Sequence, residues 1–418
     1  MPIMPLKLLL AAMVVASATD WTQWGGPNRN FTSDATGLAN TWPSGGPKKL
    51  WSRPLGEGHS SILAEGGRIY TMYRPAGGLL SYVRRSQEEV VTALDAATGK
   101  TVWEHKYPSP TDGVDFSQGA GPHATPLIVG NRLFATGTRR ELMALDKASG
   151  KLLWSHDLIK EYDAPSPDRG YSCSPIASDG SVIVTLGGAN QAVAAFNQQT
   201  GVLVWKAGGT GTSPASPTFI DVDGQRQLLV FGGDRVAGMN PANGETLWSH
   251  PHRTDYGLNI STPVWSPSDH LLFISSAYNS GSRVLELHQS AGKTTVAEKW
   301  YSNRMRVHIG SVIRIGNHVY GSSGDFGPSF LTAVDVTTGK TAWQDRTFAR
   351  AQLIHADGKI ILLDEDGTLG LVTVSPQGMK VLARATVLEN ISWTPPTLSG
   401  TTLYVRDRKN IAAFNLGS

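Results

Sequence analysis

Cysteine is nearly absent. Among 418 residues only Cys173 occurs, so no disulfide framework is open to the chain, and the residue reads as a small buried apolar group. A single cysteine also rules out a C-x-x-C-H site for attached haem. Charge is sparse: Asp, Glu, Lys and Arg make up 17%, the net charge is +3, and no run of five or six Lys or Arg marks a nucleic-acid surface. No stretch reaches the roughly 18 apolar residues of a membrane span, so none is expected. Glycine is plentiful, with 46 residues beside 24 prolines, while the apolar share is 40%. This composition describes a folded chain with many turns, and its length exceeds what one hydrophobic core supports. A modular architecture follows.

Residues 1–18 carry Lys7, an apolar stretch from Leu8 to Val15, and Ala16-Ser17-Ala18, the pattern of a secretory signal peptide. An exported protein, periplasmic or extracellular, is expected, with residues 19–48 as an N-terminal extension. No cysteine stands near the cleavage site, so no lipid anchor is expected.

The organising feature is an eleven-residue pattern, small-apolar-Asp/Asn-x-x-Thr/Ser/Asn-Gly-x-x-x-Trp. It runs from Ala93 to Trp103, Ala144 to Trp154, Ala195 to Trp205, Gly238 to Trp248 and Ala333 to Trp343. Weaker copies lie at Leu287 to Trp300 and Thr373 to Ala383, and a last one begins at Ala413-Phe414-Asn415. The period is about 46 residues, that of a four-stranded propeller blade. Each copy has hairpin chemistry: Asp or Asn accepts hydrogen bonds from the turn, Gly takes positive φ, and Trp adds a large apolar face. Before each copy stand two shorter β-rich runs, opened by a Ser/Thr-Pro type register such as Thr125-Pro126 or Ser174-Pro175. Eight such pairs meet only seven complete hairpins. The vacancy fits Lys49-Leu50-Trp51-Ser52, which would pair beside Asn410–Asn415 and close the ring. The expected fold is therefore all-β: an eight-bladed β-propeller over residues 49–418, of four-stranded antiparallel blades, closed by an N-terminal strand. Trp51, Trp103, Trp154, Trp205, Trp248, Trp300 and Trp343 are expected to dock one blade onto the next.

The Ala-x-Asp-x-x-Thr-Gly-x-x-x-Trp hairpin resembles the tryptophan-docking repeat of the pyrroloquinoline quinone (PQQ)-like propellers, a fold shared by quinoprotein alcohol dehydrogenases and BamB-like scaffolds. The opening Asp20-Trp21-Thr22-Gln23-Trp24-Gly25-Gly26-Pro27 and the later Trp393-Thr394-Pro395-Pro396 are similar to a secreted bacterial subgroup of PQQ-like repeat proteins. The Gly-His and Trp-Asp dipeptides of WD40 propellers do not occur at the repeat period.

In such a meander, loops between blades and loops joining second to third strands share one face, and the Thr-Gly turns occupy the other. Counting back from the Ser/Thr-Pro register places His59, His123, Tyr171, Asn259, His308, Arg350 and Trp393 around one mouth, as a polar ligand site with aromatic walls or as the lining of a wet channel. The three histidines have no close ligand spacing among them, so no metal is expected there. The Arg pairs Arg84-Arg85, Arg139-Arg140 and Arg406 with Arg408 fall on the same face among acidic loop residues, and read as a mixed charged surface. Gly99-Lys100-Thr101 and Gly339-Lys340-Thr341 echo a phosphate loop but lack its first glycine. Asp364-Glu365-Asp366-Gly367 reads as a strand-joining turn.

Two functions are carried forward. In the first, the chain is an exported, non-catalytic binding or scaffold module without cofactor, a monomer whose loop face takes a protein, peptide or glycan and no nucleic acid. In the second, the resemblance implies a PQQ-dependent dehydrogenase of an alcohol or sugar, with Ca2+ and with Asp325 or Asp168 as general base. The lone cysteine departs from the vicinal disulfide that dehydrogenases of this type carry.

Overall fold

The computed structural model describes residues 20–76, 85–166 and 168–417; the expected signal peptide and Arg84 of the Arg84-Arg85 pair lie outside them. Eight four-stranded antiparallel sheets follow one another around a ring. Blades 1 to 7 run over residues 63–108, 127–157, 176–207, 218–251, 264–302, 307–345 and 351–386, each with its strands in chain order from the innermost outward. Blade 8 combines Thr397–Ser399, Thr402–Arg406 and Asn410–Asn415 with the N-terminal strand Lys48–Pro54, whose Lys48 pairs with Asn415 and Pro54 with Asn410. The ring is closed as the strand count required, and no sheet edge is left between first and last blades.

The hairpin pattern does what its chemistry dictates. In blade 1 the Asp95 carboxylate accepts from the Thr98 N–H (2.9 Å) and hydroxyl (2.6 Å), and the Gly99 N–H donates to the Asp95 carbonyl (2.8 Å). Asp146, Asn197 and Asp335 repeat the arrangement. One residue before each Trp the outer strand bulges, so that Trp103 faces Ala93 while Thr101 faces Leu94. The extra residue points to solvent, which explains exposed Leu50, Val102, Leu153 and Val204. The bulge turns the indole toward the next blade. Its Nε1–H then donates to that blade's hairpin: Trp51 to the Ala96 carbonyl (3.0 Å), Trp103 to Lys147 (3.1 Å), Trp154 to Gln198 (3.1 Å), Trp205 to Pro241 (3.2 Å), Trp300 to Val336 (2.7 Å) and Trp343 to Ser375 (2.8 Å). The turn glycine is required twice over, as at Gly201: its φ is +75°, and a Cβ there would sit 2.9 Å from the Trp154 ring.

Trp248 departs from the series. Its Nε1–H donates to Gln227 Oε1 of its own blade (2.6 Å), and Gly238, at the position where blades 1, 2, 3, 6 and 8 carry Ala, makes room for the ring. The facing blade differs too: the outer strands of blade 5, Ser282–Ser290 and Lys293–Ser302, are long and join through Ala291-Gly292 without the Asp-x-x-Thr-Gly turn, so blade 5 has no docking glycine at that place. The missing turn does not act alone, since blade 7 also lacks it and Trp343 still docks on its Ser375 carbonyl; the room left by Gly238 is the other part of the cause.

The innermost strands interlock through the repeated Ser/Thr. The Ser61 N–H donates to Thr125 Oγ1 (3.0 Å), Thr125 N–H to Ser174 Oγ (3.0 Å) and Ser174 N–H to Ser216 Oγ (2.9 Å). Two arginines expected on the surface are buried instead. Arg140 donates to the Leu186 carbonyl (2.6 Å) of blade 3, and Arg406 to the Met72 carbonyl (2.7 Å) of blade 1, because each guanidinium satisfies carbonyls that the inter-blade joint leaves unpaired.

The extension crosses the hairpin-face mouth of the channel. Trp21 pairs with Ala64 of blade 1, the Ile128 N–H of blade 2 donates to Thr22, Trp24 Nε1–H donates to Thr262 Oγ1 of blade 5 (3.0 Å), and Arg29 donates to the Pro175 carbonyl of blade 3 (3.2 Å). Thr32 then bridges to His355 of blade 7 and Leu38 to Gly417. Trp21 and Phe31 are buried in the largest core cluster. Residues 20–38 thus plug one end of the channel.

Candidate functional site

The plug leaves the loop face as the open mouth, where the connections between blades carry the residues singled out above. The structure gathers three of them into a stack. His59 lies 5.4 Å from His123 (interplanar angle 9°) and 5.4 Å from Trp393 (27°), centroid to centroid, and the Arg408 guanidinium sits 4.8 Å from the Trp393 ring centre. Arg408 Nε–H points to His59 Nε2 (3.3 Å), and its Nη2 donates to the Gln118 carbonyl (2.6 Å). His59 must offer a lone pair there. Burial, with His123, Arg408 and Arg406 close by, holds its pKa well below the ordinary histidine value. His123 is lowered to about 4, chiefly by burial, and its Nε2 meets the Arg169 carbonyl (3.1 Å). The stack is therefore neutral apart from its arginine cap at physiological pH.

A second arc continues from Trp393. Its Nε1–H donates to Glu365 Oε2 (2.9 Å), Arg350 Nη1 lies 3.5 Å from the same oxygen, and Arg350 Nη2 donates to the Asp325 carbonyl (2.6 Å). Asp325 accepts from the Tyr278 N–H (3.2 Å) and lies 3.7 Å from Arg306. Burial raises the Asp325 carboxyl, but the Phe326 N–H and Arg306 outweigh it and the pKa falls below the ordinary range. The Tyr278 hydroxyl bonds to His308 Nε2, and burial next to Arg350 lowers His308 to about 4. Around Tyr278 stand Tyr256 and Phe326, at 5.2 and 5.7 Å between ring centres; Phe326 is 80% exposed and Tyr256 64%.

Tyr171 and Asn259 sit in the walls of the joints. The Tyr171 hydroxyl bonds to Thr185 (3.1 Å) under the Arg140 guanidinium, and Asn259 donates to the Gly232 carbonyl (2.6 Å) while accepting from Ser276 Oγ (2.6 Å). Both are buried. Cys173 is buried too, its thiol pushed up to about 11 by burial, an inert packing group. Counting from the inner-strand register passed over Tyr278, Glu365 and Arg408, which come from the loops joining second to third strands. The acidic turn Asp364–Gly367 was the available signal: Asp364 caps the turn by accepting from Thr368 N–H (2.8 Å), and Glu365 is left to face the mouth. Among the described residues, no three His, Cys, Asp or Glu side chains of this mouth converge on one point. An open concavity of about 780 Å³ adjoins the second arc on the flank of blade 6, lined by Arg304, Lys340 and the same Arg306 among others.

The model of the family described as outer membrane protein assembly factor BamB matches residues 86–345, more than half of the chain. The BamB of Moranella endobia is 20% identical over 320 residues, covering 77% of this chain and 68% of that protein. The quinoprotein alcohol dehydrogenase PedH of Pseudomonas putida is 31% identical over 144 residues, 31% of this chain and 23% of its own length. The chain thus spans only about a quarter or less of the dehydrogenases PedH and the Gluconobacter oxydans quinone-linked subunit that it matches. Among solved structures, BamB from Moraxella catarrhalis aligns with a TM-score of 0.58 at 16% identity, over 88% of this chain and 97% of that one. The quinohemoprotein alcohol dehydrogenase from Comamonas testosteroni aligns at 0.62 and 13%, over 96% and 81%. At such identities the structural likeness establishes the fold, which both groups share. With eight blades, tryptophan docking through the hairpin pattern, and a family match across blades 1 to 6, the chain belongs to the family of the outer membrane protein assembly factor BamB.

Proposed function

We propose that this chain is a binding module of the cell envelope whose loop face docks a protein or peptide segment, and that it performs no redox chemistry of its own. The observation that carries this reading is the division of labour at the mouth. Most polar groups there pair with one another, in the His123–His59–Trp393–Arg408 stack and the Glu365–Arg350–Asp325 arc, where Arg350 Nε and His308 Nδ1 are buried without a partner, while the rings of Tyr256 and Phe326 stand out into solvent. Protruding aromatics over a rigid polar base are what a protein-binding patch requires. The share of the chain matched by BamB relatives, against the short matches to dehydrogenases, supports the same reading.

The residues present do not fit PQQ with Ca2+. A flat quinone needs an open aromatic face, and the Trp393 ring already packs with His59 and Arg408 while its Nε1 is bonded to Glu365. A general base works best with a pKa near the operating pH. Asp325 is held below the ordinary carboxylate range and paired with Arg306.

Site-specific photo-cross-linking tests the docking face. A cross-linker at Phe326 or Tyr256 is expected to trap a discrete protein adduct in cells, whereas one at Val202, equally exposed on a hairpin, is expected to trap none. Equal labelling at all three positions would overturn the assignment of the loop face.

A further inference from the structure

The blade 4–5 joint is the one where the docking tryptophan turns away, and a different cluster occupies it on the hairpin face. Asp223 comes from the tight turn between the first two strands of blade 4, at φ +50°. His270 comes from the corresponding turn of blade 5, at φ +58°, and His288 from the third strand of blade 5, Ser282–Ser290. His270 Nδ1 is 3.4 Å from Asp223 Oδ1, His288 Nδ1 is 3.8 Å from Asp223 Oδ2, and one ligand atom from each residue lies within 4.8 Å of the others. The two imidazoles are 4.6 Å apart between centroids.

Three features mark this as more than a chance meeting of charges. His270 Nδ1 is buried and has no hydrogen-bond partner. The backbone holds the ligands in place: the Gln289 N–H donates to Asp223 Oδ2 (2.8 Å) across the joint, and the Leu287 N–H donates to the His270 carbonyl (3.0 Å). The far nitrogen of His288, Nε2, faces Glu286 Oε1 at 3.8 Å, and Glu286 is itself held by Lys299 Nζ at 3.1 Å. A carboxylate behind the second ring nitrogen is the arrangement that orients metal-ligating histidines. Two ligands at tetrahedral positions, each about 2.0–2.1 Å from zinc, stand about 3.3 Å apart, close to the spacings seen here.

We propose that Asp223, His270 and His288 form a site for a divalent transition-metal ion of the zinc class, which staples blade 4 to blade 5 where the tryptophan dock is missing. Two imidazoles and one carboxylate leave a fourth position for water, and the nitrogen-rich set favours zinc over calcium or magnesium. The site lies on the opposite face from the aromatic mouth, so its role is structural and independent of partner docking.

The test uses the full, untagged chain after treatment with chelator. Titration with Zn2+ is expected to give one equivalent bound at about 10 µM or tighter and to raise the melting temperature, since the metal binds the folded state. Co2+ in place of Zn2+ is expected to give the intense visible absorption of a four-coordinate site. His288→Gln and His270→Ala should each weaken binding at least tenfold, whereas His123→Ala should leave it unchanged. No saturable Zn2+ binding to the native chain, a Co2+ spectrum matching the free hydrated ion, or binding undiminished in folded His288→Gln and His270→Ala would each overturn the proposal. The first two readouts need no variant, so a variant that fails to fold does not shelter the idea.

Discussion

Replacing Trp154 by Ala tests the joint between blades 2 and 3. The indole packs over Gly201 and against Phe134 at 5.8 Å between ring centres, and its Nε1–H satisfies the Gln198 carbonyl. Because the ring is only partly buried, its loss is expected to cost about 3 kcal/mol, the lower end of the range for large aromatic truncations in cores. Gly201→Ala attacks the same contact from the other side. The new methyl meets the ring at 2.9 Å, and the residue must hold φ at +75°, which together should cost about 2–4 kcal/mol. The two losses should not add. Once the indole is gone the methyl has nothing to strike, only the backbone strain persists, and the double variant should be more stable than the sum by about 1–2 kcal/mol. Urea unfolding followed by far-ultraviolet circular dichroism reads all four proteins. A coupling energy below about 0.3 kcal/mol would refute the account of tryptophan–glycine docking.

Deleting residues 1–53 removes both the plug and most of the strand that completes blade 8, and is expected to abolish a single cooperative melt; a deletion that melts like the parent would show that Lys48–Pro54 is dispensable. Arg74 and Glu89 form an ion pair at 2.7 Å with both side chains buried, so Arg74→Met, which leaves the Glu89 charge without its counter-ion and held only by hydrogen bonds from Tyr107 and Thr138, should cost about 3 kcal/mol, and Glu89→Gln in that background should restore part of it. Stability should fall on acidification from pH 6.5 to about 4. His123 and His308 sit near 4 and His252 near 3 in the fold, so the unfolded chain takes up protons first, each histidine contributing at most about 3–5 kcal/mol. Glu141, raised to about 7 by burial, works the other way. Its folded carboxyl keeps a proton that the unfolded one has lost, so between pH 4.5 and 7 it favours stability at lower pH; Glu141→Gln should steepen the acid loss, and urea midpoints across the pH series check both signs.

The ring was legible because its signals are local and repeated: Asp-x-x-Thr-Gly fixes a turn by its own hydrogen bonds, and counting strands exposed the vacancy that Lys48–Pro54 fills. The inward turn of Trp248 was not legible, since it depends on Gly238 opposite it and on a turn missing from the next blade. Trp21, Trp24 and Phe31 stand outside the repeat period, so nothing local announced that they plug the channel. At the mouth, inner-strand counting reached His59, His123 and Trp393, but it also pointed to Tyr171 and Asn259, which the joints bury, because register fixes where a residue starts and not which way neighbouring blades let it face. Tyr278, Glu365 and Arg408 arrive from loops of unequal length, where no register applies.

The claim that this propeller binds and does not catalyse is tested most directly by calorimetric titration of the chain with PQQ, with and without Ca2+. The Trp393 ring, engaged by His59 and Arg408, and the paired Asp325 and Glu365 predict no saturable heat in either case. Calcium-dependent binding at micromolar or tighter affinity would contradict the account and make a quinone-dependent dehydrogenase the better reading.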